Sequence, residues 1–358
     1  MAATVAVGVG VVLARAERER RNERQRRLDS ELALCPGEGL AEGLRRMALG
    51  QVDLAVEKLG GAGEGVAGEE AVHDTRKALK RLRALVRLLR DELGASAFAR
   101  EDDALAQLGG RLAGARDSEV MLGTLEELVR RNPHELGRRK GVARLRRRLA
   151  AEHDWMERKV LGDPLVRGEV LAGLQAVRAT MAAWSLPDDG EIGLVEPGLR
   201  RIYRQGRARY RRVAHGRGDR MATMHQWRKR VKDLRYATEM LDRRDQIAGR
   251  DNGRAHGRST RGGDAERLRR LARRADALGE LLGEDHDLAL LAELVRAAGK
   301  RRGALGVRIG RGSRRALLKA IARRQRRLRR DAMRQGERLY RSPPKQFIRG
   351  VRAAYLSG

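Results

Sequence analysis

Apolar residues recur along this chain at intervals of three and four, and no segment sustains the alternation of β-branched and polar residues that marks a strand. The pattern predicts helices over 38–60, 67–94, 97–113, 117–131, 136–160 and 164–184, then over 196–214, 219–242, 264–283, 286–298, 312–339 and 344–356. The fold class is therefore all-α, and short antiparallel helices with brief connections pack as bundles. The turn-rich run from Ser185 to Gly190 separates a first half, 37–184, from a second, 196–356, through a linker over 185–195.

Polar positions carry a second pattern. His73, Arg76, Lys77, Lys80 and Arg83 return as His225, Arg228, Lys229, Lys232 and Arg235, each 152 residues later. Steps of three and four stack these side chains on one helical face, and the first stripe extends to Arg87. Beside it runs an apolar seam, Leu79, Leu82, Val86, Leu89 and Leu93, echoed by Val231, Leu234 and Leu241. A further element repeats as well: Leu108-Gly109, Leu112 and Asp117 match Leu278-Gly279, Leu282 and Asp287 at an offset of 170. The Gly/Arg-rich stretch 243–263 accounts for the longer offset and reads as a flexible insertion without a core. Gly299–Gly312 has similar composition and is expected to be exposed. The expected architecture is two pseudosymmetric bundles, one per half, with their cationic stripes facing across a basic groove or cavity.

A basic helix is ordinarily a solvated face. Here, Asp74 is the only acid between His73 and Arg90, so the helix offers almost no i,i+4 partners to its own cations. Repulsion kept at two equivalent places points to a polyanion that relieves it. Composition agrees: 79 Lys and Arg against 48 Asp and Glu give a formal charge of +31 and a pI near 11.4. The partners this implies are nucleic acid, inorganic polyphosphate or an anionic surface. Aromatic residues are only 3% of the chain, too few for the stacking platforms that single-strand readers use, which favours a polymer without bases.

The lone Cys35 excludes an intramolecular disulfide and fits a reducing cytoplasm. The apolar run Val5–Ala14 is too short to span a bilayer and lacks the flanks of a signal peptide. Residues 1–36, with the Arg/Glu block from Arg15 to Arg27, read as a basic, partly disordered segment.

Signatures of catalysis are missing. There is no phosphate-binding Gly loop ending in Lys-Ser/Thr, no His-Glu-x-x-His, no paired Cys and no nucleophile elbow, so neither a metal nor a cofactor is expected. Glu17, Glu19 and Arg21 faintly resemble the alternating acids of triphosphate tunnel enzymes, but they fall in a helical block where that chemistry needs strands. Asp285, His286 and Asp287 are adjacent and point to different sides of a helix. The better reading makes Asp287, like Asp117, a helix N-cap. His73 and His225 head the two stripes and read as pH-sensitive phosphate contacts.

His73-x-x-Arg76-Lys77-x-x-Lys80-Arg81-x-Arg83, its repeat from His225 to Tyr236, and Leu112-Ala-Gly-Ala-Arg-Asp117 resemble the conserved histidine α-helical domain, CHAD. Tyr203-Arg-Gln-Gly-Arg207 with Arg211 resembles the family's second-half basic helix, and Pro344-Lys-Gln-Phe347 its C-terminal element; the resemblance covers 37–356. It implies two helical bundles around a basic cavity that binds inorganic polyphosphate, and localisation to polyphosphate granules in the cytoplasm. Carried over by position, the ligands are His73, Arg76, Lys77, Lys80, Arg83, Arg87, Arg207, Arg211, His225, Arg228, Lys229, Lys232 and Arg235. Many members have Asn at the position of His286, and no strand-rich CYTH-like region precedes residue 37. The expectation is a binding module, not an enzyme. Nonspecific nucleic-acid binding is the alternative, and a polyphosphate-metabolising enzyme is third because no acidic cluster for Mg²⁺ is visible. A narrow cavity separates the first two, since it admits a bare phosphate chain and excludes a duplex whose grooves alone are about 12 and 6 Å wide.

Overall fold

The computed structural model describes residues 32–35, 37–61, 66–161, 163–187, 192–216, 218–242, 261–298 and 309–357. These form eleven α-helices: α1 (Leu40–Gly60), α2 (Val66–Leu88), α3 (Arg90–Arg111), α4 (Ala113–Arg131), α5 (Lys140–Leu161), α6 (Pro164–Ala182), α7 (Glu196–Ala214), α8 (Arg220–Met240), α9 (Arg261–Ala297), α10 (Arg311–Leu339) and α11 (Pro344–Leu356). A π-helical turn at Pro133–Gly137 and a 3₁₀ turn at Ile192–Leu194 are the other helical pieces, and the described residues contain no strand. Of the expected segments, 1–31, 243–260 and 299–308, with residues 188–191 of the linker, lie outside the described residues.

The apolar seam of α2 decides the packing. Leu79, Leu82, Leu85, Val86, Leu88 and Leu89 are all buried, each contributing roughly 1.5–3 kcal/mol relative to exposure. A like-charge pair one turn apart costs only a few tenths of a kcal/mol, so the cationic stripe does not prevent the helix from docking. Leu89 breaks the helical geometry, and Gly94 then turns the chain with φ +77°, a conformation glycine reaches without the penalty of a Cβ. α7 crosses the end of α2 so closely that a Cβ on Gly198 would collide with the Leu88 carbonyl. Two helices start as their sequences suggest: Asp163 caps α6 through Leu165 N at 2.9 Å, and Asp219 caps α8 through Met221 N at 3.1 Å.

Packing differs from one bundle per half. The larger core joins α1, α2, α3 and α6 to α7, α8, the first part of α9 and α11, so it mixes both halves. The smaller core does the same, joining α4 and α5 to the end of α9 and to α10. The long α9 makes this possible. Helices expected at 264–283 and 286–298 are one uninterrupted helix, whose buried residues from Leu268 to Leu282 belong to the first core and from Leu288 to Val295 to the second. In the first half the equivalent path is broken at Leu112, between α3 and α4.

That continuity corrects the capping assignment. Asp117 lies in the second turn of α4 and Asp287 deep inside α9, so neither stands at a helix start. Asp117 instead faces Arg76 at 3.8 Å.

Candidate anion-binding cavity

Where the two cores adjoin, the middle of α9 and the stripes of α2 and α8 enclose a cavity of about 790 Å³. His73, Arg76, Lys77 and Lys80 enter it from α2, and Arg228, Lys232 and Arg235 from α8. Thus seven of the thirteen predicted ligand residues meet in one space.

The cavity is not purely cationic. Eight Lys or Arg line it against six Asp or Glu: Glu119 and Glu127 from α4, and Asp276, Glu280, Glu284 and Asp287 from α9. Several acids are engaged with the stripes. Lys232 lies 3.5 Å from Glu280, and Arg235 donates to Asp276 and, at 2.6 Å, to Glu239. Arg324 of α10 makes a bidentate pair with Glu284 at 2.5 and 2.6 Å. The acids that α2 lacks are therefore supplied by neighbouring helices, so self-repulsion along one helix is not by itself a sign of a missing polyanion. These partners were legible as a pattern: Glu119, Gly123 and Glu127, and Asp276, Glu280 and Glu284, follow the same steps of four.

Arg76 and Arg228 occupy equivalent positions in the repeat and differ in what holds them. Arg76 Nη1 donates to the Gly109 carbonyl at 3.0 Å, one of the acceptors left by the ending of α3 at Arg111. α9 continues through the corresponding region, its carbonyls consumed by the helix. Arg228 makes no ion pair with the described residues, and its buried Nε has no hydrogen-bond partner.

Arg83, Arg87 and Lys229 form a second group, outside the cavity lining. Arg83 grips both Asp102 oxygens, at 2.9 and 2.8 Å, while Arg87 bridges Asp102 and Asp233, each at 3.0 Å. Arg230 approaches Asp233 at 3.2 Å. Burial raises the Asp102 carboxyl, but the hydrogen bonds of Arg83 and the charge of Arg87 outweigh it, and the group ends below its usual range. Lys229 shows the opposite balance: burial, then repulsion from Arg83 and Arg87, lowers its ammonium.

His225 stands one turn from Lys229, its ring 4.4 Å from that of His286. Nδ1 of each ring is buried without a partner. Burial first, then Lys229 and Arg228, lowers His225; burial, His225 and Arg228 push His286 down to about 4. Both shifts favour the neutral ring. Arg207 and Arg211 line a different, shallower depression with Arg204, Arg212 and His215, and Arg207 Nε donates to the Tyr340 carbonyl at 3.1 Å.

The chain belongs to the CHAD domain family, whose model matches residues 50–246 and so takes in both stripes. Among solved structures it is similar to the crystal structure of the CHAD domain from the plant Ricinus communis, at 19% identity and a TM-score of 0.47, over 90% of this chain and 94% of that one. No curated protein matches the chain. None of the described helices is long and apolar enough to cross a membrane.

Proposed function

We propose that the protein binds inorganic polyphosphate, without hydrolysing it, in the cavity between α2 and α8, and that it thereby associates with cytoplasmic polyphosphate granules. The observation that carries this reading is the convergence of His73, Arg76, Lys77 and Lys80 with Arg228, Lys232 and Arg235 on one space. An entering anion must compete with Glu280 for Lys232 and with Asp276 for Arg235. A multiply charged phosphate chain does so better than a single carboxylate, because every unit brings further acceptors. Among the described residues Tyr236 is the only Phe, Tyr or Trp in the lining and it is buried, so it offers nucleobases no stacking platform. Catalysis would need carboxylates free to hold a cation, whereas Glu284 and Asp276 are committed to arginines.

Competition at equal phosphate concentration tests the reading. Polyphosphate should displace labelled polyphosphate at least tenfold better than duplex DNA does, and its length distribution should survive incubation with protein and Mg²⁺ or Mn²⁺. Equal displacement by DNA, or orthophosphate release in proportion to protein, would overturn it.

A further inference from the structure

A second cavity, about 410 Å³ in volume, lies between α9, the end of α10 and α11. Four arginines line it: Arg267, Arg270 and Arg274 at helical spacing on α9, and Arg338 near the end of α10. Among the described residues no Asp or Glu lines it, in contrast to the six acids of the cavity between the stripes. Arg267, Arg274 and Arg338 make no ion pair with the described residues. Between and beyond the arginines the lining is apolar, with Leu268 and Leu271 from α9, Leu339 from α10 and Phe347 and Val351 from α11. Phe347 is held in place by stacking on Tyr203, with ring centroids 3.8 Å apart and planes 8° from parallel.

Guanidinium groups interleaved with hydrocarbon select for an amphipathic anion. A bare phosphate chain would satisfy the arginines but set its oxygens against leucine and phenylalanine, where they lose hydration without gaining partners. A flat heteroaromatic group attached to phosphates satisfies both kinds of lining residue, since guanidinium groups bind phosphate bidentately and also stack on planar rings. The volume falls in the usual range for a small-molecule site, about 300–1,000 Å³. We propose that this pocket binds a nucleoside triphosphate, with its phosphates on Arg270, Arg274 and Arg338 and its base against Leu271 and Phe347. The site is separate from the polyphosphate cavity and does not depend on that reading.

The test is photolabelling of the full chain with an azido derivative of ATP, followed by peptide mapping, with ATP and tripolyphosphate as competitors. Label should fall within 267–274 or 338–351, and ATP should suppress it at least tenfold more effectively than tripolyphosphate. Arg274→Ala combined with Arg338→Ala should weaken ATP binding at least tenfold by calorimetry while helicity is retained. Leu271→Gln provides a second probe, of the apolar lining, and should weaken ATP but not tripolyphosphate. Label on 76–80 or 228–235, equal suppression by tripolyphosphate, or unchanged ATP affinity in the double variant would overturn the proposal.

Discussion

Arg87, the last member of the first stripe, donates to Asp233 in the middle of the second at 3.0 Å, so the two basic helices are tied together by an acid embedded in one of them. Asp233 holds the repeat position that Arg81 holds in the first copy, and its residue is only 4% exposed. The exchange of a cation for an anion at this place lets two positively charged helices cross. Removing it leaves Arg87 with Asp102 as its acid and Arg230 with Gln205 as its hydrogen-bond partner, both half-buried. Asp233→Ala should therefore cost about 1.5–3 kcal/mol, the usual loss for hydrogen bonds to charged groups, as read by urea unfolding. A loss below about 1 kcal/mol would mean that the crossing does not rely on this acid.

The cations of the stripes differ in how much of the fold rests on them. Arg83→Glu and Arg235→Glu each place an acid beside Asp102 or Asp276 and should lower the melting temperature by several degrees. Lys80→Glu changes an exposed residue, and Arg228→Glu a residue with no acid partner; neither should shift it by more than about 2 °C. Thermal melts of the four single variants give the comparison directly.

The helices, and the family resemblance, were legible in the sequence because spacing alone reports them: the seam of α2 and the 152-residue repeat need no tertiary information. Tertiary partners are a different matter. Asp102 and Asp233 lie 131 residues apart, yet they share Arg87, and no periodicity links them. The N-cap assigned to Asp287 failed because Leu-Gly followed by Asp looks like a break. In α9 burial on both cores carries the helix through it. For the same reason the sequence placed one core in each half, when α9 belongs to both.

Acidification should act through the histidine pair. His286 falls from about 6.5 to about 4 on folding, so the unfolded chain binds its proton first, and stability present above pH 6.5 is lost as pH falls toward 4. With the ring only partly buried, the contribution is about 1–2 kcal/mol after allowance for solvent screening. Urea midpoints from pH 7 to 5 should fall for the wild type and fall less for His286→Gln. Parallel curves would remove His286 from the account. Polyanion binding near His225 should also take up protons over the same range, which calorimetry in buffers of different ionisation enthalpy measures.

Counterion release should govern affinity for polyphosphate. By analogy with nucleic acids, log affinity should fall linearly with log salt by roughly 0.7–0.9 for each phosphate neutralised. Lys77→Gln with Lys80→Gln should reduce that slope by about 1.5. An unchanged slope would place these lysines outside the contact.

The claim that both stripes grip one polymer is tested most directly by a double-mutant cycle on long polyphosphate, with Lys77→Glu and Lys80→Glu as one arm and Arg228→Glu as the other. Each arm alone should weaken binding more than tenfold at constant melting temperature, and the combined variant should depart from the product of the two losses by at least threefold, about 0.7 kcal/mol of coupling. Retained affinity in either arm, or losses that multiply within error, would contradict a shared cavity.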